Sequence, residues 1–131
     1  MKILVCYDGS NVAVDAVKLA RQRAEIYGAN LILMKALPQS PELKFEDIQK
    51  EEASLEGIAK EFLSDSKAPC ETHALVTNMS PGEEIVEFAE RNDVGEIVIG
   101  IRKRSKVGKL MFGSTAQFVI LNAHCPVVSI R

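Results

Sequence analysis

Short apolar runs of strand length alternate along this chain with longer amphipathic stretches of helix length. The first two runs are Lys2–Tyr7 and Leu31–Leu37, and they enclose the segment Asn11–Tyr27, in which small and apolar residues recur at helical spacing. Asp8-Gly9-Ser10 before that segment and Gly28 after it are typical of a helix start and a helix end. Buried strands separated by helices predict parallel strands joined by right-handed crossovers.

The same alternation continues to the end of the chain. The predicted elements are a long amphipathic helix within Glu42–Asp65, an edge strand at Cys70–Val76, a helix capped by Ser80-Pro81-Gly82-Glu83 and running to about Asn92, a strand at Glu96–Gly100, a helix from Ser114 to about Ala123, and a last strand at Val127–Ile130. We therefore predict a single domain over residues 1–131. Its fold class is α/β, with an open twisted sheet of five mainly parallel strands and four helices on its two faces, which makes three layers.

Composition argues against disorder and against membrane spanning. Of the 131 residues, 47% are hydrophobic and 26% are charged, as in an ordinary globular domain. No apolar run approaches the roughly 20 residues needed to cross a bilayer, and the first run is too short for a signal peptide, so we expect a cytoplasmic protein. The three cysteines, Cys6, Cys70 and Cys125, lie far apart and suggest reduced thiols rather than a disulfide or a zinc site.

A cationic segment joins the fourth strand to the last helix. Although the formal net charge of the chain is −2, this segment contains five cations, Arg102, Lys103, Arg104, Lys106 and Lys109. Gly113-Ser114-Thr115 follows at the predicted start of the helix, where unpaired N–H groups and the positive end of the helix dipole attract an anion. Charge alone is equally consistent with a solvated basic loop. The glycines, the hydroxyls and the helix start together favour a phosphate site.

The glycine spacing in this segment resembles the nucleotide-binding signature of the universal stress protein family, which runs Gly, two residues, Gly, nine residues, Gly, then Ser or Thr. Gly100 matches the first glycine and Gly113-Ser114 match the closing pair, but Lys103 stands at the second glycine. The resemblance covers the whole chain and includes Met1–Ser10, Met79–Ile85 and Cys125–Arg131. It implies a Rossmann-like sheet, like that of the adenine nucleotide alpha hydrolases, in the order 3-2-1-4-5. Alternation of strands and helices alone leaves the flavodoxin-like order open.

The resemblance also implies where a ligand binds and which residues hold it. In a 3-2-1-4-5 sheet the winding reverses between strands 1 and 4, and ligands bind outside the carboxyl ends of the strands at that point. The implied ligand is ATP, ADP or AMP, with any Mg²⁺ carried by the nucleotide. Asp8 is expected to accept the ribose hydroxyls, and its alternative role is to cap the first helix. The other implied site residues are Cys6, Ala36 and Ile99 around the base and Gly100, Arg102, Lys103, Gly113, Ser114 and Thr115 around the phosphates.

Efficient catalysis is not expected from this sequence. Val107-Gly108-Lys109 is followed by Leu110, so there is no Walker-type phosphate loop. The two histidines, His73 and His124, stand alone near strand boundaries, and no set of nucleophile, base and acid is evident. Any ATP hydrolysis is therefore expected to be slow.

The predicted function is that of a small regulator of a stress response, in which nucleotide occupancy acts as a signal. The family resemblance also implies a homodimer paired through the last strand, Val127, Val128, Ser129 and Ile130. The alternative is a member that does not bind ATP, because Lys103 replaces a glycine, and that acts as a dimeric protein-interaction module. Nucleic-acid binding is less favoured, because the net charge is acidic and few aromatic residues are present.

Overall fold

The computed structural model describes residues 1–102 and 113–131. Strands and helices alternate along these residues, as the hydrophobic pattern predicts. In chain order they are β1 (Lys2–Cys6), α1 (Asn11–Tyr27), β2 (Asn30–Pro38), α2 (Phe45–Leu63), β3 (Cys70–Thr77), α3 (Pro81–Arg91), β4 (Glu96–Gly100), α4 (Ser114–Asn122) and β5 (Val127–Ile130).

All five strands form one sheet in the order β3-β2-β1-β4-β5, and every neighbouring pair is parallel. Val5 in β1 lies opposite Leu33 of β2 and Val98 of β4. The chain moves outward from β1 to β3 on one side and from β4 to β5 on the other, so its winding reverses between β1 and β4. The predicted fold class and strand order are confirmed, and β3 and β5 form the two edges of the sheet.

Helices cover both faces of the sheet, because successive residues of β1 point to opposite layers. Ile3 lies in a buried cluster with Leu55 of α2, whereas Leu4 lies in a second cluster with Phe88 of α3 and Val119 of α4. Ile3 and Leu4 are both fully buried. Burial on both faces explains why the central strands are continuously apolar instead of alternating with polar residues.

Local signals fix the ends of α1 and the start of α3. The Ser10 hydroxyl accepts the N–H of Ala13 at 3.2 Å, and the Ser80 hydroxyl accepts the N–H of Glu83 at 3.3 Å. Helix α1 ends at Gly28, whose φ of 65° lies in the left-handed region that favours glycine. These boundaries agree with the predicted ones because each depends on residues within one helical turn.

Helix α2 lies within the predicted Glu42–Asp65 stretch and begins at Phe45. The N–H of Leu43 donates to the carbonyl of Ser40 at 3.1 Å, which makes a turn before the helix. The Asp47 carboxylate then accepts the N–H of Lys44 at 2.9 Å and fixes the helix start there.

Three further findings concern residues 1–102 and 113–131. No helix in these ranges is both long and apolar enough to cross a membrane. No group of three or more His, Cys, Asp or Glu side chains there is arranged to hold a metal ion. Cys6, Cys70 and Cys125 are free thiols.

Candidate functional site

A cavity of about 310 Å³ lies at the carboxyl ends of β1, β2 and β4, where the winding of the sheet reverses. The starts of α3 and α4 complete its wall. Nine of the predicted site residues line it: Cys6, Asp8, Ala36, Ile99, Gly100, Arg102, Gly113, Ser114 and Thr115. The tenth, Lys103, lies outside the described residues, as do Arg104, Lys106 and Lys109. The topology thus brings together residues from both ends of the chain, while the role of each stays a prediction.

Asp8 lies two residues beyond β1, and it does not cap α1. That role belongs to Ser10, as described above. Asp8 Oδ1 instead accepts the N–H of Ser10 at 3.0 Å and its hydroxyl at 2.5 Å. Gly9 permits this tight turn with a φ of 87°. The turn holds the carboxylate at the cavity.

Asp8 also forms an ion pair with Arg102, which lies two residues beyond β4. An Nη of Arg102 donates to Asp8 Oδ2 at 2.5 Å, and the two side chains are 45% and 54% exposed. Partial burial acts to raise the pKa of Asp8, but the hydrogen bonds from Ser10 and Arg102 outweigh it and lower that pKa below its ordinary value. The carboxylate is therefore ionised at neutral pH and carries a full charge into the cavity.

Cys6, at the end of β1, contributes an unreactive thiol. Burial, and to a smaller extent the negative charge of Asp8, raise the pKa of Cys6 to about 12. The thiol stays protonated at neutral pH, and a protonated thiol is a poor nucleophile. Cys6 can therefore pack against a ligand but is unsuited to attack one.

Gly100 is required by packing. A Cβ atom at this position would lie 2.9 Å from the carbonyl oxygen of Val12 and 3.0 Å from Val12 Cγ1. The first turn of α1 thus contacts the end of β4 directly. Glycine at position 100 is accordingly explained by the fold, whether or not a ligand approaches it.

Gly113, the N-cap residue of α4, is not explained in the same way. Its φ of −65° suits any residue, and a Cβ atom built there meets no described atom within 4 Å. Among the described residues, no side chain caps α4, whereas Ser10 and Ser80 cap α1 and α3. The N–H groups of the first turn of α4 can therefore take an acceptor from outside the helix. Ser114 and Thr115 add hydroxyl groups to the same wall of the cavity.

Seven lining residues were not predicted as site residues: Tyr7, Ala13, Met34, Lys35, Pro81, Ile85 and Ala116. The sequence contained a signal for Pro81, because a helix that follows a parallel strand begins at the carboxyl edge of the sheet. Tyr7, Met34 and Lys35 lie on or directly after β1 and β2, whereas Ala13, Ile85 and Ala116 reach the wall through the packing of helices on the sheet. Lys35 is bound to Glu51 of α2 at 2.7 Å.

The chemistry of this cavity suits binding better than bond cleavage. The ring of His73 packs against that of Phe88 with centroids 5.2 Å apart, and His124 is exposed in the loop before β5. Neither histidine is among the described residues that line the cavity. Among the described lining residues, the carboxylate is that of Asp8 and the guanidinium is that of Arg102. These two groups form an ion pair with each other, so neither is free to act as an acid or a base.

Comparison with known families agrees with this architecture. Residues 1–131 match the model of the universal stress protein family along their full length. The chain belongs to the universal stress protein family.

Three relatives show how similar the chain is to other members of the family. A universal stress protein of Thermus aquaticus is 33% identical over 98% of this chain and 97% of its own length. A universal stress protein structure from Archaeoglobus fulgidus is 37% identical, with a TM-score of 0.84 over 100% of this chain and 98% of that one. A structure of the universal stress protein from Archaeoglobus fulgidus in complex with dAMP is 32% identical, with a TM-score of 0.79 and the same coverage.

Proposed function

We propose that this protein binds an adenine nucleotide, ATP or the related ADP or AMP, at the carboxyl ends of β1 and β4. The observation that carries the proposal is that Asp8 and the start of α4 line one cavity. An acceptor suited to ribose hydroxyls and backbone donors suited to phosphate therefore belong to the same site. The dAMP complex of the Archaeoglobus fulgidus protein supports an adenine nucleotide as the ligand class.

The base would lie against the apolar part of the cavity wall. Met34 and Ala36 of β2, Ile99 of β4 and Cys6 of β1 supply that surface. Ligand sites of this kind combine an apolar wall with a few polar groups that set orientation. The free edge of the adenine ring would then find its partners in backbone groups, which explains why the sequence carries no distinctive side chain for it.

The phosphates would lie at the start of α4. The backbone N–H groups after Gly113 and the hydroxyls of Ser114 and Thr115 provide neutral donors, and Arg102 provides a charge. Mg²⁺ would come with the nucleotide, because hard cations at nucleotide sites take much of their coordination from phosphate and water.

Nucleotide occupancy, and not turnover, would carry the signal. Slow hydrolysis is the most that we propose, because the described wall of the cavity offers a carboxylate already paired with Arg102 and a thiol that stays protonated. We place the protein in the cytoplasm, where the three free thiols would stay reduced.

The test begins with the purified wild-type protein. It is denatured, any released nucleotide is identified by mass spectrometry, and the emptied protein is titrated with ATP and Mg²⁺ by calorimetry. We expect either a co-purified adenine nucleotide or a Kd tighter than about 100 μM, equivalent to a binding free energy of about −5.5 kcal/mol.

Two variants make that result specific to the site. Asp8→Ala should remove or strongly weaken binding, because it deletes the proposed ribose acceptor. Asp15→Ala is the matched control, since Asp15 is an exposed carboxylate on α1 outside the cavity lining. Equal affinity for ATP in both variants would contradict the proposed site, and a wild-type protein that ignores ATP would refute the function.

We also propose a homodimer formed through β5, the strand at one edge of the sheet. The N–H groups of Ile97 and Ile101 in and after β4 donate to the carbonyls of Pro126 and Ile130. The backbone N–H and C=O groups of Val128 and Ile130 therefore point toward β4, and those of Val127 and Ser129 point toward the free edge of the sheet. Unpaired edges of this kind tend to pair with another strand.

Ser129→Pro tests this interface by removing one outward N–H group while leaving the β4–β5 hydrogen bonds in place. Light scattering should show a dimer for the wild-type protein and for the control Ser129→Ala, and a monomer for Ser129→Pro. If the dimer survives in Ser129→Pro, the interface lies elsewhere.

The second candidate function, a dimeric interaction module that does not bind ATP, is favoured by the Asp8–Arg102 ion pair. That pair occupies two groups that a nucleotide would need, and Lys103 replaces the second glycine of the family signature. A wild-type dimer that does not respond to ATP would support this candidate.

A further inference from the structure

The two ionic groups proposed to hold different parts of the nucleotide bind each other in this structure. Asp8 Oδ1 accepts two hydrogen bonds from Ser10, and Asp8 Oδ2 accepts one from Arg102. Each carboxylate oxygen therefore already has a partner. Oδ1 already accepts two hydrogen bonds, so a ribose diol that donates two would have to place both on Oδ2 and displace the guanidinium from it.

The Ser10 contacts and the Arg102 contact differ in how easily they can be exchanged. Ser10 is two residues from Asp8 and caps α1, so its contacts belong to the turn itself. Arg102 comes from the end of β4, 94 residues away, on a long side chain that is 45% exposed. Ion pairs this exposed contribute little free energy, and the guanidinium can turn toward another anion.

We propose that Arg102 sets the specificity of the site for nucleotides over nucleosides, because it covers the ribose-binding oxygen of Asp8 until a phosphate group displaces it from that oxygen. This inference rests on the proposed function and adds a coupling between the ribose and phosphate positions. A ligand with a phosphate has two favourable contributions to its affinity, because its phosphate binds Arg102 and its ribose can then bind the released Asp8. Adenosine lacks the phosphate and must break the ion pair without compensation.

The inference predicts opposite effects of one substitution on two ligands. In Arg102→Gln, the charge that competes for Asp8 is removed, so adenosine should bind about three- to fivefold more tightly than to the wild-type protein, the size expected of an exposed ion pair. AMP should bind more weakly by a similar or larger factor, because its phosphate loses a cation. In Asp8→Asn/Arg102→Gln, the gain for adenosine should disappear.

Salt offers a second readout that needs no substitution. Raising KCl from about 50 mM to about 500 mM screens exposed charges. It should tighten the binding of adenosine to the wild-type protein by weakening the Asp8–Arg102 pair, and it should weaken the binding of AMP.

Calorimetry with AMP and adenosine on the wild-type protein and the two variants decides the question, after thermal melting has shown that each variant is folded. If AMP does not bind the wild-type protein, the proposed function fails. If AMP binds but Arg102→Gln leaves adenosine affinity unchanged, lower or unmeasurable, the function stands and the specificity role of Arg102 is refuted.

Discussion

Addition of one methyl group should lower stability at one glycine of the family signature and ligand affinity at another. Gly100→Ala places a Cβ atom 2.9 Å from the carbonyl oxygen of Val12 and 3.0 Å from Val12 Cγ1. Neither atom can yield freely, because one is backbone and the other is a β-branched side chain held in the first turn of α1. Overpacking of this kind lowers the free energy of unfolding by about 1–3 kcal/mol. The lower entropy of the unfolded alanine variant offsets less than about 1 kcal/mol of this loss.

Gly113→Ala should instead leave the fold nearly unchanged. The new Cβ atom meets no described atom within 4 Å, and the φ of −65° is accessible to alanine. Loss of a favourable N-cap residue and the gain in unfolded-state entropy should offset each other to within about 0.5 kcal/mol. The methyl group would, however, stand where phosphate is proposed to approach the backbone, so we expect ATP affinity to fall about tenfold or more, which is about 1.4 kcal/mol.

Thermal melting and calorimetric titration with ATP on both variants separate these effects. Gly100→Ala should lower the Tm by about 3–4 °C for each kcal/mol of net cost, and Gly113→Ala should change it by no more than about 2 °C while losing affinity for ATP. A Gly100→Ala protein as stable as wild type would refute the packing argument. A Gly113→Ala protein that binds ATP normally would show that phosphate does not approach this residue.

Three further predictions concern the core, the helices and pH. Leu55→Ala, at a buried position of α2, should lower the free energy of unfolding by about 2–5 kcal/mol in denaturant titration, and a loss below about 1 kcal/mol would mean that α2 is loosely packed. Gly82→Ala should lower the free energy of unfolding by about 1–3 kcal/mol, because its Cβ atom would lie 2.9 Å from that of Phe118. Gly57→Ala, with open space in α2, should raise it by about 0.5–1 kcal/mol. Melting temperatures equal to that of the wild type would contradict both predictions. Because the pKa of Asp8 is lowered by folding, the stability that its charge contributes is present above the ordinary value of 3.8 and is lost as the pH falls through the lowered pKa. The difference in unfolding free energy between wild type and Asp8→Asn should therefore be constant above about pH 5 and shrink below about pH 4, and a difference that grows in acid would show that the pKa is raised.

The secondary structure could be predicted from the sequence wherever a boundary depends on neighbouring residues. Ser10 and Gly28 delimit α1, and Ser80-Pro81 starts α3, because caps and left-handed glycines act within a turn or two. The sequence predicts a helix within Glu42–Asp65 but not its start at Phe45, since the polarity of residues 42–44 does not distinguish a helical turn from the turn that precedes it. The strand order required the family resemblance, because the alternation of elements permits more than one order.

The sequence predicted most of the residues that line the cavity, but it did not predict the contacts that these residues make. Residues such as Asp8 and Gly113 follow from the strand ends and helix starts, which the topology brings to one edge of the sheet. The residues that were missed, such as Ile85 and Ala116, reach the cavity only through the packing of α3 and α4. The packing of Gly100 on Val12 was not foreseen either, because it joins two elements far apart in sequence.

The Asp8–Arg102 ion pair follows from the way in which the parallel sheet is wound. Val5 of β1 lies opposite Val98 of β4, and this register brings Asp8 to within one residue of the level of Arg102. An acid after one strand and a base after the other are then close enough to attract each other, and in this structure they pair without a ligand. Under the proposed function, the sign of the charge at position 102 would therefore affect ribose binding as well as phosphate binding. A member of the family with a neutral residue there should discriminate less between nucleosides and nucleotides, and Arg102→Gln makes that comparison within a single chain.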